Sequence, residues 1–125
     1  MASPKILIVE DFEDLSNLVS FYLCARGYDV LEARTGRAAI ETALAGNPKL
    51  ILLDFRLPDM DGLEVAHELH RLPQTEHIPI VGWSADCHSK PPEKVWRQAG
   101  LADCVQKPVS MRELEAVIDR FVPTP

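Results

Sequence analysis

Two apolar runs in this chain end in acid. Lys5-Ile6-Leu7-Ile8-Val9 gives way to Glu10-Asp11, and Leu50-Ile51-Leu52-Leu53 closes on Asp54. A lone charge is too costly to keep inside a strand, so these carboxylates must open onto a site. Three carboxylates at one edge repel each other and call for a cation. Lys107 ends a later run, and Ser84, followed by the small Ala85, ends another. Three acids, one ammonium, one hydroxyl and no histidine placed as a general base suit a hard divalent cation, Mg²⁺ or Mn²⁺. A neutralised Asp54 becomes usable as a nucleophile toward phosphorus, giving an aspartyl phosphate. Metal, Lys107 and Ser84 would then hold the phosphoryl oxygens, and positioning and charge would carry the catalysis.

These residues can meet only if the strands lie side by side. The candidate strands are 5–9, 28–33, 50–54, 78–83 and 102–106; runs such as KILIV and LILLD are apolar without alternation, as parallel strands covered on both faces are. Helix-period segments separate them. Leu15, Leu18, Val19, Tyr22 and Leu23 form one predicted stripe, with Glu13 and Asp14 at its positive end and Gly27 at its stop. Thr35 is the expected cap of a second helix that presents Ala39, Ile40, Ala43 and Leu44 to the sheet. A third helix starts near Gly62 with Leu63, Ala66 and Leu69 inward; Pro91-Pro92 opens a fourth and Gly100 closes it. Ser110 with Glu113 reads as a capping box for a fifth, with Leu114, Val117, Ile118 and Phe121 buried.

Five βα units predict an α/β fold, a flavodoxin-like doubly wound five-stranded parallel sheet of order 2-1-3-4-5 with five helices. In that order the first and third strands are neighbours, which brings Glu10 and Asp11 beside Asp54. Ligands of such sheets bind at the carboxyl ends of the strands.

The 125 residues fit one domain, 1–125, with no room for an output domain. A net charge of -6 argues against direct nucleic-acid binding. No apolar stretch approaches the roughly 20 residues that span a bilayer, and Met1-Ala2-Ser3-Pro4 runs straight into a strand, so no membrane association is expected. Cys24, Cys87 and Cys104 are odd in number and lack CxxC spacing. They predict reduced thiols, no disulfide framework and a cytoplasmic location.

The elements VED (9–11), LILLDFRLPDMDG (50–62), SA (84–85) and KP (107–108) stand in order over essentially the whole chain. In this the chain resembles the receiver domains of two-component response regulators, of the single-domain chemotaxis type. The resemblance implies phosphoryl transfer from a histidine kinase or histidine phosphotransfer protein to Asp54. It implies Mg²⁺ ligation by Asp11, Asp54 and the Arg56 backbone carbonyl, with Glu10 acting through a metal-bound water. It also implies pairing of Lys107 with the phosphoryl group, a cis peptide before Pro108, and a switch role for Ser84. Signalling would pass to a downstream protein effector, and a homodimer could form through the face of the fourth helix, fifth strand and fifth helix. Receivers are not conventional enzymes, although they assist their own phosphorylation and dephosphorylation. Cys104 departs from the family pattern: it stands where the family usually carries Tyr or Phe. A Trp precedes the switch serine, and two prolines open the next helix.

Two other readings compete. A receiver-like binding module could have an output independent of phosphate, a possibility that Cys104 motivates. Asp59-Met60-Asp61-Gly62 resembles the DxDG of aspartate-nucleophile phosphatases. There the first Asp must end a strand, whereas this run already stops at Asp54. Asp59 and Asp61 therefore read as turn residues, and Gly62 as the residue that permits the bend. His67, His70, His77 and His88 lack metal-ligand spacing, and His67 and His70 are expected on a solvated helix face. Cys87, beside His88, is expected in ordinary packing or exposed, not as a reactive thiol, and Trp96 in the core or at a partner surface.

Overall fold

The computed structural model describes residues 3–85, 87, 92–107, 110–123 and 125. The strands are β1 (Lys5–Val9), β2 (Asp29–Ala33), β3 (Leu50–Asp54), β4 (Ile80–Ser84) and β5 (Asp103–Gln106). Between and after them run α1 (Glu13–Ala25), α2 (Gly36–Gly46), α3 (Gly62–Arg71), α4 (Glu93–Gln98) and α5 (Met111–Phe121). All strand pairs are parallel, and the order is β2-β1-β3-β4-β5, as the sequence predicts. Among the described residues, no helix is long and apolar enough to cross a membrane.

Alternation along the strands makes two cores, one on each face of the sheet. Leu7, Val9, Ile51 and Leu53 pack with Ala39 and Ala43 of α2, Val65, Ala66 and Leu69 of α3, and Trp96 of α4. Ile6, Ile8, Leu50 and Leu52 pack with Val19 and Leu23 of α1 and with Leu114 and Ile118 of α5. Each of these large strand side chains is wholly removed from water, which contributes about 1.5–3 kcal/mol apiece. The polar site can open at one end because the strands beneath it are anchored on both faces.

The helix stripes are narrower than predicted. Leu18 and Leu44 are exposed, at 57% and 42%, instead of facing the sheet. In α1 an inward position goes instead to Ser16, whose hydroxyl donates to Glu32 Oε1 at 2.6 Å. A small, hydrogen-bonded side chain fits where α1 passes β2, and the stripe rotates to Ser16, Val19 and Leu23.

The predicted helix ends hold. Thr35 Oγ1 accepts from the Ala38 N–H at 3.0 Å, and Ser110 Oγ accepts from the Glu113 N–H at 3.1 Å. Gly27 and Gly100, at φ +96° and +104°, take the left-handed conformation that ends α1 and α4. Of the two prolines expected to open α4, Pro92 is the residue before it, and Pro91 lies outside the described residues.

Candidate functional site

The topology delivers the acidic cluster. β1 and β3 are neighbours, with Val9 opposite Leu53, so the chains leave the sheet side by side. The Glu10 N–H still bonds the Ala33 carbonyl at 3.0 Å, which extends the ladder one residue past β1 and fixes the acid at its rim. Glu10 is buried, Asp11 is exposed, and Asp54 is 7% exposed at the last position of β3. One carboxylate oxygen from each of the three lies within 4.8 Å of the others.

Backbone donors set the carboxylate orientations. The Phe12 N–H donates to Glu10 Oε2 at 3.2 Å, and the Arg56 N–H donates to Asp54 Oδ1 at 3.1 Å. Lys107 follows β5 directly, its N–H bonded to the Ser84 carbonyl at 2.8 Å. Its ammonium pairs with Glu10 Oε1 and lies 3.3 Å from Asp54 Oδ2. The same nitrogen sits 4.8 Å from the centre of the Trp83 ring, a cation–π contact that steers the lysine inward. Within this cluster one ammonium faces three carboxylates. The remaining negative charge, on oxygen donors only, fits a hard divalent cation.

The loop after Asp54 is held by close backbone packing. A Cβ on Gly62 would fall 2.4 Å from the Asp54 carbonyl oxygen and 2.7 Å from Phe55 Cα. The Gly62 N–H bonds the Phe55 carbonyl at 2.9 Å, and Arg56 bridges to Asp61. Glycine is therefore required here for close approach. Gly62 permits the bend through the absence of a Cβ, at an ordinary negative φ.

Asp59 and Asp61 lie in this loop and have structural work of their own. Asp61 Oδ1 accepts from the Leu63 N–H at 2.8 Å and caps α3. Asp59 reaches another helix: its two oxygens accept from the Gly36 and Arg37 N–H groups at 2.7 and 2.9 Å. The Arg37 donor, then the Gly36 donor, holds the Asp59 carboxyl below the usual carboxylate range. Sequence reasoning misses that second cap because α2 lies more than twenty residues upstream.

Ser84 is buried at the end of β4, one residue past the Asp54–Trp83 register pair, and Ala85 is exposed immediately after it. Pro108, and the peptide bond expected to be cis, lie outside the described residues.

The cysteine reading is overturned. Cys87 and Cys104 are joined in a disulfide with their Cα atoms 5.9 Å apart; Cys24 is free and exposed. Spacing in sequence conceals the pair because its proximity comes from topology. β5 is the neighbour of β4, with Cys104 opposite Gly82, and the chain beyond Ser84 brings Cys87 back over it. Trp96 belongs to the core, its indole N–H donating to the Cys87 carbonyl at 2.9 Å. His67 is exposed as expected, whereas His70 is half-buried with its ring against Gly100.

Known proteins share this fold. The response regulator receiver domain family matches residues 6–119. The polar-differentiation response regulator DivK of Brucella ovis is 33% identical over 122 residues, covering 98% of this chain and 93% of DivK. The aerobic respiration control sensor protein ArcB of Escherichia coli is 37% identical over 118 residues, 94% of this chain, which spans only 15% of ArcB's length. Among solved structures, the Vibrio cholerae chemotaxis protein CheY4 superposes with a TM-score of 0.91 at 25% identity, covering 97% of this chain and all of CheY4. The receiver domain of the sensor histidine kinase PA1611 from Pseudomonas aeruginosa was solved with magnesium coordinated in its active-site cleft. It superposes at 0.87 with 28% identity, over 96% of this chain and 98% of that domain. The chain belongs to the response regulator receiver domain family of two-component signalling.

Proposed function

We propose that the protein is a phosphoacceptor receiver in which Asp54 takes a phosphoryl group from a histidine kinase or histidine phosphotransfer protein. The observation that carries this reading is the convergence of Glu10, Asp11, Asp54 and Lys107 at one sheet edge. Glu10, Asp11 and Asp54, with the Arg56 carbonyl, would hold Mg²⁺ or Mn²⁺. When bound, that cation supplies the charge neutralisation that lets an anionic phosphodonor approach. The magnesium in the PA1611 receiver cleft supports the assignment.

In the transfer, an Asp54 oxygen forms the new P–O bond as the N–P bond of the phosphohistidine breaks. The imidazole leaves neutral, with its proton on the other ring nitrogen. Lys107, held over Trp83 and between Glu10 and Asp54, moves its ammonium onto the incoming phosphoryl oxygens. Ser84 offers a hydroxyl at the neighbouring strand end and acts as the switch. Phosphate on Asp54 shifts a two-state equilibrium of the segment after β4, and this changes binding to a downstream protein effector. Residues 1–125 act as one receiver domain in the cytoplasm.

Fluorine NMR with beryllofluoride, a phosphoryl mimic, tests this. Bound fluorine resonances should require Mg²⁺ and vanish in Asp54→Asn. Absence of a bound signal in the wild type contradicts the reading.

A further inference from the structure

We propose that Cys87 and Cys104 are a reversible thiol–disulfide site whose redox state controls how the segment after β4 responds to events at Asp54. The coupling rests on the phosphoacceptor reading above; the redox chemistry does not. Four observations carry the proposal.

The bond joins the chain just beyond Ser84 to the strand that leads to Lys107. Cys104 lies in β5, three residues before Lys107, and Cys87 lies three residues beyond Ser84. The residues between the two cysteines include all of α4. Trp96 of α4 anchors the Cys87 carbonyl at 2.9 Å. The disulfide thus ties the approach to α4 directly to β5.

The sulfur also borders the phosphoryl site. Cys87 Sγ lies 3.6 Å from the Ser84 carbonyl oxygen, the same oxygen that accepts the Lys107 N–H at 2.8 Å. As half of a disulfide this sulfur has no proton. As a thiol it can donate one to that carbonyl. Oxidation therefore exchanges a weak donor to the backbone between Ser84 and Lys107 for a covalent bond to β5.

The staple does not stand in for a missing core. Disulfides compensate for small cores in secreted domains, whereas this chain has two full cores on a five-stranded sheet. In a reducing compartment a disulfide of this kind is characteristically transient and sensory.

Cys87 is wholly removed from water and Cys104 is 8% exposed, and we place the attack of an incoming thiolate on Cys104 Sγ. The S–S bond breaks, Cys87 leaves as a thiolate and takes a proton, and a mixed disulfide remains on Cys104. The second thiolate of a dithiol reductant resolves it and releases the Cys104 thiol, protonated in turn. Two electrons and two protons reach the protein, and the dithiol is oxidised to its own disulfide. Oxidised glutathione drives the reverse reaction and yields two reduced glutathiones.

The test uses the full chain carrying Cys24→Ser, which removes the exposed thiol. The folded protein is equilibrated in graded mixtures of oxidised and reduced glutathione, and with dithiothreitol, then trapped by alkylation and weighed intact. The series is repeated with Mg²⁺ and beryllofluoride. We expect reversible interconversion and a midpoint glutathione ratio shifted by about fivefold or more when beryllofluoride is bound, because coupling between two sites is reciprocal. A disulfide that opens only on unfolding overturns the redox site, and a midpoint that beryllofluoride leaves in place overturns the coupling. Failure of beryllofluoride to bind either redox form overturns the phosphoacceptor reading and with it the coupling. The alkylation series decides the redox site in every case.

Discussion

Lys107 and Trp83 hold each other at the mouth of the acidic cluster, the ammonium 4.8 Å from the centre of the indole ring. The lysine is thereby committed inward, to Glu10 and Asp54, before any ligand arrives. Removing it leaves Glu10 and Asp54, both largely buried, facing each other without an ammonium. We expect Lys107→Ala to cost about 1–3 kcal/mol in urea unfolding. Added Mg²⁺ should recover much of that loss, since it binds a site made more negative. Equal losses with and without Mg²⁺ would show that the lysine's role is packing alone.

Metal binding should itself be visible as stability. Glu10, Asp11 and Asp54 present their oxygens to one point only in the folded chain. A divalent cation at ten times its dissociation constant should then add about 1.4 kcal/mol to the folded state. Thermal unfolding with and without Mg²⁺ measures this. Asp11→Asn should abolish most of the increment, and Asp61→Asn, which only touches the α3 cap, should leave it intact.

Gly62 should tolerate no side chain. The added methyl of Gly62→Ala would collide with backbone atoms of Asp54 and Phe55, which cannot swing aside. We expect a loss of about 1–3 kcal/mol, together with weakened beryllofluoride binding as Asp54 shifts. Gly46→Ala is the control: its methyl meets only the end of the Leu31 side chain, and helix propensity favours the change. Equal behaviour of the two variants would contradict this account of the loop.

The cap from Asp59 to α2 makes stability depend on pH. The Arg37 and Gly36 N–H donors lower this carboxyl's folded-state pKa below its unfolded value. Its contribution is therefore fully present above the ordinary carboxylate range and is lost as pH falls through the lowered pKa. Asp59→Asn should lower Tm at neutral pH, and the difference from wild type should shrink as the solution becomes acidic. A pH-independent difference would count against the cap.

The sheet order and the position of Asp54 were legible because apolar runs and strand-end charges are local signals. Leu50 to Asp54 announces both a buried strand and its exit. The lysine's seat over Trp83 was hidden, since nothing local couples residues 83 and 107. Asp59 was readable as a loop acid, but its partner helix was not, because the contact closes across the fold. The cysteine pair was misread for the same reason: it is set by the adjacency of β4 and β5, and motif spacing does not record that. Leu18 and Leu44 show the complementary error, in which a good helical period overstates how wide a face the sheet can cover.

Acyl-phosphate chemistry tests residue by residue whether Asp54 accepts the phosphoryl group. The protein is incubated with Mg²⁺ and acetyl phosphate, reduced with borohydride, digested and sequenced by mass spectrometry. Reduction of an aspartyl phosphate leaves homoserine in place of the modified aspartate. We expect homoserine at position 54 only, dependent on Mg²⁺. Homoserine at position 59 or 61, or at none, contradicts the account.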